Sequence, residues 1–443
     1  REKSAVSIVL PENCKEVKVS NITQKTEPAK LVSENSNTQK YQLSNGATLL
    51  LTPNRVNDII AISIFAKGGE FIEHIPGTAD LTAAVLTKGS KKYSSVEFAQ
   101  TMEDNGIKIV PSAKADSFNM TVLTTKNDYE KTLELLNEII NNATLDEFEI
   151  EKAKNDELNS IKKSKDVPLN LAVDSYKALI FEGSPYSYSN NILEKNLPRV
   201  TKNDVKNYYD KVFYPQNVVI SINGNVDKET TIAELTNIFN NKKGEKFDYN
   251  KHLVQSLTTE KQACSKVKDL KTDWIIMGWQ TSGVLNRKDY ATLQVIDSLL
   301  GSGMSSRLFK NLRDRDGLAY QLGSQFSPHI LKGSFITYIG TNPENLDYAQ
   351  KRMKEEVFRL KTEFVGSKEL QEAKDKLLGH YIIGQETNLD KATTIGWFEV
   401  SGRGYEFDEQ YSQLINSVTE SDIIEVANKV FTNNYVLSIV KPQ

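Results

Sequence analysis

Histidine and cysteine are scarce in this 443-residue sequence, which has four of the first and two of the second. Cys14 and Cys264 have no further Cys or His near them at ligand spacing, so neither a zinc finger nor a disulfide framework is indicated. His74, His252, His329 and His380 are scattered in the same way. His74 follows Glu73 directly, but neighbours in sequence point to different helix faces, and one imidazole with one carboxylate is too few for a metal. No apolar run reaches the ~18 residues of a membrane span. An excess of charge is missing too. Lys and Arg number 55 against 58 Asp and Glu, a formal charge of -3 that gives no general attraction to nucleic acid. The cluster Lys162, Lys163, Lys165 reads as a solvated helix face. No Gly-rich loop joins a strand to a helix as a phosphate cradle would.

What is present is ordinary globular material, 39% hydrophobic and 26% charged, for which a water-soluble chain is expected. A bacterial cytoplasm and a periplasm fit it equally well. The length exceeds what one core usually serves, which predicts two domains of roughly 200 residues.

Self-comparison supports that division. VTKNDVKNYYDKVF, Val200 to Phe213, superposes without gaps on VTESDIIEVANKVF, Val418 to Phe431. Each opens with Thr and Asp at helix-start spacing and is followed by an apolar run, Val218 to Ile222 and Val436 to Val440. The polar stretch from Phe239 to Lys261 is the expected junction. Residues 41–245 and 255–443 are therefore expected as two similar domains. In each, hairpin-like strands come first and helices group afterwards, which predicts an α+β class. The expected form is two α/β sandwiches, each a mixed, mostly antiparallel sheet with helices on one face. Thr78 is expected to cap a helix that Gly89 ends. Residues 1–40 read as a strand, Ser4 to Leu10, and a polar linker, Ile22 to Lys40. The strand is similar to the chain's own end, so it is expected to close an upstream copy of the domain; chance likeness of two short strands is the competing reading.

Two segments carry a family resemblance. GTADLTAAVLTKGS, Gly77 to Ser90, matches the frame of the pitrilysin/insulinase helix G-L-A-H-F-L-E-H-M-L-F-K-G-T at Gly77, Ala79, Leu86, Lys88 and Gly89. In that helix two His one turn apart hold zinc, and a Glu between them takes the proton of bound water. Here the ligand positions fall on Asp80 and Ala84 and the base on Ala83. The family's distal Glu ligand aligns within Ala153 to Pro168, where the resemblance points to Ala153 as its replacement. The second segment, GSGMSSRLFKNLRDRDGLAY from Gly301 to Tyr320, resembles the family's C-terminal G-x-x-S-S-R-L-F…L-R…G-L-A-Y, with Arg313 and Tyr320 seven residues apart. Gly301, Gly303, Ser305 and Ser306 would shape a substrate loop. Gly317 would end the helix of Arg313 and bring Tyr320 back beside it. The plain alternative is that Arg313 pairs with Asp314 or Asp316 and that Tyr320 starts a core strand.

The resemblance, over residues 41 to 443, implies a non-catalytic half of a zinc metalloendopeptidase. Such a half would bind no metal itself; zinc would belong to a partner half, a separate subunit or an upstream part of the same polypeptide. Arg313 and Tyr320 would reach that half's site and stabilise the oxyanion of a peptide substrate. A catalytically inert scaffold or peptide-binding protein of the same fold is the competing expectation; an active hydrolase with other ligands would need more than Ala83, Ala84 and Ala153 can offer.

Overall fold

The computed structural model describes residues 29–240, 242–267 and 270–443. The strand expected at Ser4 to Leu10, and Cys14, lie outside the described residues. Within residues 30–40, expected as linker, 30–34 and 39–40 are strand, joined by a turn. β1 (Lys30–Glu34) is the edge of the first sheet and pairs with β2 (Gln39–Gln42). An edge strand with one solvated side tolerates a polar sequence, which is why composition disguised it.

The first sheet continues with β3 (Thr48–Pro53), β4 (Ile59–Lys67), β5 (Lys108–Ala113), β6 (Ser117–Thr125) and β7 (Val218–Gly224), in the spatial order β1-β2-β3-β7-β4-β6-β5. The second consists of β8 (Lys261–Val267), β9 (Asp273–Gln280), β10 (Gln321–Ser327), β11 (Ser334–Thr341) and β12 (Val436–Pro442), ordered β10-β11-β9-β12-β8. In both, the last strand inserts parallel to one early strand and antiparallel to the next: β7 between β3 and β4, β12 between β8 and β9. The internal repeat is thus a repeat of topology.

Among the described residues the α-helices of the first domain are α1 (Thr78–Val85), α2 (Ser95–Asp104), α3 (Tyr129–Asn142), α4 (Glu147–Lys165), α5 (Pro168–Ile180), α6 (Asn190–Asn196), α7 (Lys202–Val212) and α8 (Lys228–Phe239). The second has α9 (Arg287–Leu300), α10 (Leu346–Arg359), α11 (Ser367–Ile383), α12 (Asn388–Val400), α13 (Phe407–Asn416) and α14 (Glu420–Val430). The repeated helices α7 and α14 start on identical capping boxes, Thr201 with Asp204 and Thr419 with Asp422. Each box satisfies two backbone donors that a helix start leaves free.

Most helices of a domain pack on one face of its own sheet, as the sequence predicted. The other face is covered by the neighbour. α5 crosses to the second sheet, where Ala172, Tyr176 and Ile180 pack with Ile276, Ile336, Val436 and Val440. α12 crosses to the first, where Ile395 and Val400 pack with Leu50, Phe65 and Val219. The central strands β4 and β7 are consequently buried on both faces and are apolar almost throughout. Each crossing depends on a glycine. A Cβ on Gly278 of β9 would lie 2.4 Å from the Tyr176 ring, and one on Gly396 of α12 would lie 2.5 Å from the Phe65 ring.

A clasp of polar groups closes the seam between domains. Asp116, buried in the β5–β6 turn, accepts hydrogen bonds from the Tyr186 hydroxyl and, at 3.2 Å, from the N–H of Ile330 in the β10–β11 turn. His329 stacks on Tyr186 with ring centroids 4.4 Å apart. The segment between the domains is tied to the same point, since Tyr249 donates its hydroxyl to the Asp116 carbonyl and Phe247 stacks on His252.

Gly278→Leu and Gly396→Leu should each lower stability by about 1–3 kcal/mol, the usual range for overpacking. Urea unfolding of the two variants beside the parent measures this; unchanged midpoints would show that the crossings are loosely packed.

Candidate functional site

Two places carry the sequence-predicted residues. The first is α1. Its N-terminus is capped by Glu73, whose carboxylate accepts the N–H of Gly77 at 3.1 Å and of Ala79 at 2.7 Å. Thr78, the expected cap, sits inside the first turn and donates to the Ile75 carbonyl at 2.7 Å. A carboxylate reaching back from four residues upstream satisfies two donors at once, which a single threonine oxygen does not. Along α1, Ala83 is buried in the first core, Asp80 is partly buried and Ala84, one turn beyond Asp80, is exposed.

Asp80 lines a 620 Å³ cavity at the domain seam together with Glu70, Asp116, Glu157, Lys114 and Lys177. The second domain contributes His329 and Trp397. Burial dominates the electrostatics of this cavity, because taking a carboxylate out of water favours its neutral form. Burial, with the neighbouring Glu157 charge, pushes Asp80 up to about 6. Burial and then the charge of Asp80 push Glu70 up to about 7, and one Glu70 oxygen is buried without a hydrogen-bond partner among the described residues. Burial pushes Glu73 up to about 8, against the pull of its two backbone donors.

The second place is a ledge on the second domain. Phe309–Arg315 is a π-helical turn, a geometry that is rare and often found at functional sites. Gly317, with φ of 63°, ends it, and the chain returns so that the Arg313 guanidinium lies 5.4 Å from the Tyr320 ring centroid and 4.5 Å from that of Phe309. Tyr320 is 89% exposed. Among the described residues no carboxylate pairs with Arg313. Asp316, one of its expected partners in the plain alternative, is held by Arg315 at 2.8 Å and Arg352 at 2.9 Å. Neither Arg313 nor Tyr320 lines the cavity of Asp80.

The ledge is firmly supported. Leu308 and Leu312 are buried beneath it. Glu356 of α10, 0% exposed, accepts from Asn311 at 2.9 Å, Arg352 at 3.0 Å and Arg359 at 2.9 Å, tying the π-helical turn to α10. Upstream, a Cβ on Gly301 would lie 2.0 Å from the Ser324 nitrogen, so the loop lies against β10. Lys376 donates to the Ser302 carbonyl beside Gly303. Ser305 is exposed, whereas Ser306 is buried with no partner for its hydroxyl among the described residues.

Comparison with known proteins now decides the family. Residues 49–189 match the model described as Insulinase (Peptidase family M16), and residues 199–377 match the one described as Peptidase M16 inactive domain. The chain belongs to the insulinase, or pitrilysin, family. It is 27% identical over 414 residues to an uncharacterized zinc protease of Rickettsia felis, covering 93% of this chain and 98% of that protein. It is 24% identical over 355 residues to a protein of Helicobacter pylori named a non-peptidase homolog, covering 79% and 80%. The fold is shared with a Pseudomonas fluorescens peptidase M16 inactive domain, at TM-score 0.83 and 20% identity over 92% of this chain and 98% of that one. At TM-score 0.78 and 17% identity the whole chain also matches 49% of the periplasmic protease PqqL of Escherichia coli.

For an insulinase-family chain the donor set at α1 is poor. Ala83 and Ala84 present methyl groups, and a catalytic zinc takes three protein ligands. Among the described residues no group of three His, Cys, Asp or Glu is arranged to hold a metal. The residues do not fit zinc. Ala153, the expected replacement of the distal ligand, packs against the first core, and the α4 residue that lines the cavity with Asp80 is Glu157, one helical turn later. The i to i+4 spacing from Ala153 was the signal that could have found it.

Two outcomes are expected. Glu70 and Asp80 have folded-state values above their ordinary ones, so the stability they contribute is complete below about pH 4 and is lost as pH rises through about 6 to 7. The double variant Glu70→Gln, Asp80→Asn should therefore gain Tm over the parent at pH 8 but not at pH 4, measured by thermal unfolding at both. Glu356→Ala should cost about 3 kcal/mol, the low end for breaking a buried ion pair, because Arg352 and Arg359 keep other carboxylates. A loss under 1 kcal/mol in urea would show the ledge to be supported by packing alone.

Proposed function

We propose that this chain is the non-catalytic half of an insulinase-type zinc metalloendopeptidase, working on peptides or small unfolded proteins with a zinc-bearing partner half. The observation that carries the reading is the Arg313 and Tyr320 pair: a guanidinium that forms no ion pair among the described residues, next to an exposed phenol, on a ledge tied to α10. Zinc would be held by the partner, since α1 offers methyl groups where ligands are needed. Arg313 and Tyr320 would donate hydrogen bonds to the oxygen of the scissile carbonyl as negative charge develops on it. Donors fixed in advance contribute most at that stage, typically about 2.7–4 kcal/mol each. The full-length match to 49% of PqqL supports a unit that is half of a larger peptidase.

An inert scaffold or peptide-binding role has one observation in its favour, the non-peptidase name of the Helicobacter pylori relative. The two readings part on a single experiment. The chain alone should hydrolyse no peptide and carry no stoichiometric zinc; adding a zinc-bearing half should restore cleavage. Arg313→Ala should then slow turnover at least tenfold while co-purification of the halves is unchanged. Turnover equal to the parent's would sink the donor role and favour the scaffold.

A further inference from the structure

The crossing helix α12 lines four cavities of the domain seam, and one of those outside the reading above is distinguished by its charge. It is an 800 Å³ groove on the far side of the Asp116 clasp from the cavity of Asp80. Leu285 and, in the β10–β11 turn, half-buried Leu331 supply its exposed apolar surface, while Ile330 and Val400 line it as buried side chains. Lys67, at the end of β4, and Lys246 and Lys251, on the segment between the domains, supply its charge.

The balance is positive. Three lysines face one acid among the described residues that line the groove, Asp248, whose Oδ1 accepts from the N–H and the side-chain amide of Asn250, each at 3.0 Å. Lys67 is the unusual member. Among the described residues no carboxylate lies within ion-pair distance of it. Glu399, the acid whose charge it feels, is held by Lys40 at 2.6 Å and by the Tyr405 N–H at 3.1 Å. Burial lowers the Lys67 ammonium below its ordinary value, Glu399 opposes this, and the charges of Lys246 and Lys40 lower it further. A desolvated cation beside other cations gains from an incoming anion, and apolar surface next to it gains from an apolar body on that anion.

We propose that this groove binds the C-terminal end of a peptide, with the α-carboxylate against Lys67 and Lys246 and the last apolar side chain on Leu285 and Leu331. Inorganic phosphate would leave the apolar surface unused, and a fatty acid is better served by an enclosed tunnel than by an open groove. The volume falls within the range of ligand sites, about 300–1,000 Å³.

The test uses the full chain alone, so it stands or falls independently of any partner half. Fluorescence anisotropy is read with a labelled hexapeptide ending in Leu-Leu with a free carboxylate, its amidated twin, and unlabelled decanoate and phosphate as competitors. The free acid should bind saturably and the amide at least tenfold more weakly, with affinity falling as salt is raised. Lys67→Gln should weaken the acid at least tenfold. Lys246→Gln, at an exposed position, should weaken it by a smaller factor and serves if the Lys67 variant does not fold, which its thermal unfolding reports. Equal binding of acid and amide overturns the proposal, as does no binding of the acid, indifference to both substitutions, or displacement by decanoate or phosphate at concentrations well below those of the peptide acid.

Discussion

The exchange of α5 and α12 between the domains is the constraint on which the rest of this structure depends. A sheet covered on one face only would leave its other face to water, and here each second face is closed by the neighbour's helix. Tyr176 against Gly278 and Phe65 against Gly396 set how closely the two bodies approach. That approach creates the seam. The cavities that α12 lines, the acidic one of Asp80 and the basic one of Lys67 among them, exist because a helix of one domain lies on the sheet of the other.

Buried carboxylates meet two different fates in this framework. Glu356 is fully enclosed and accepts from an asparagine and two arginines, so its charge is compensated and fastens the π-helical turn to α10. Glu70 and Asp80 are enclosed beside other acids, with Lys114 and Lys177 as partial relief, and burial drives both toward the neutral form. α1 thus borders a desolvated acidic wall, whereas on the ledge the Arg313 guanidinium pairs with no carboxylate among the described residues.

Much of the fold was legible in the residues. Thr201 with Asp204 and Thr419 with Asp422 announced two helices of the same kind, and the apolar runs after them announced the strands that close each sheet. Gly317 announced the turn that brings Tyr320 to Arg313, because glycine takes a positive φ without strain. Where reading failed, a backbone pairing or a side chain a few residues upstream had outweighed local composition. Polar residues 30–34 became an edge strand through backbone pairing to β2, and Glu73 displaced Thr78 as a cap by folding back over its own turn.

The sequence by itself determined the class of the fold, the repeat, the methyl groups on α1 and the spacing of Arg313 and Tyr320. These are local properties, set by periodicity, capping chemistry and side-chain identity. Only the tertiary structure decided that Asp80 and Glu157 share a cavity with His329 and Trp397 of the other domain, that Asp316 is taken by Arg315 and Arg352 and so leaves Arg313 free of it, and that Lys67 ends in a groove with Glu399 already paired to Lys40. Each of these depends on which groups remote in the chain are brought within a few ångströms, and a charge acts through its neighbours and its distance from water, neither of which is written in its place along the chain.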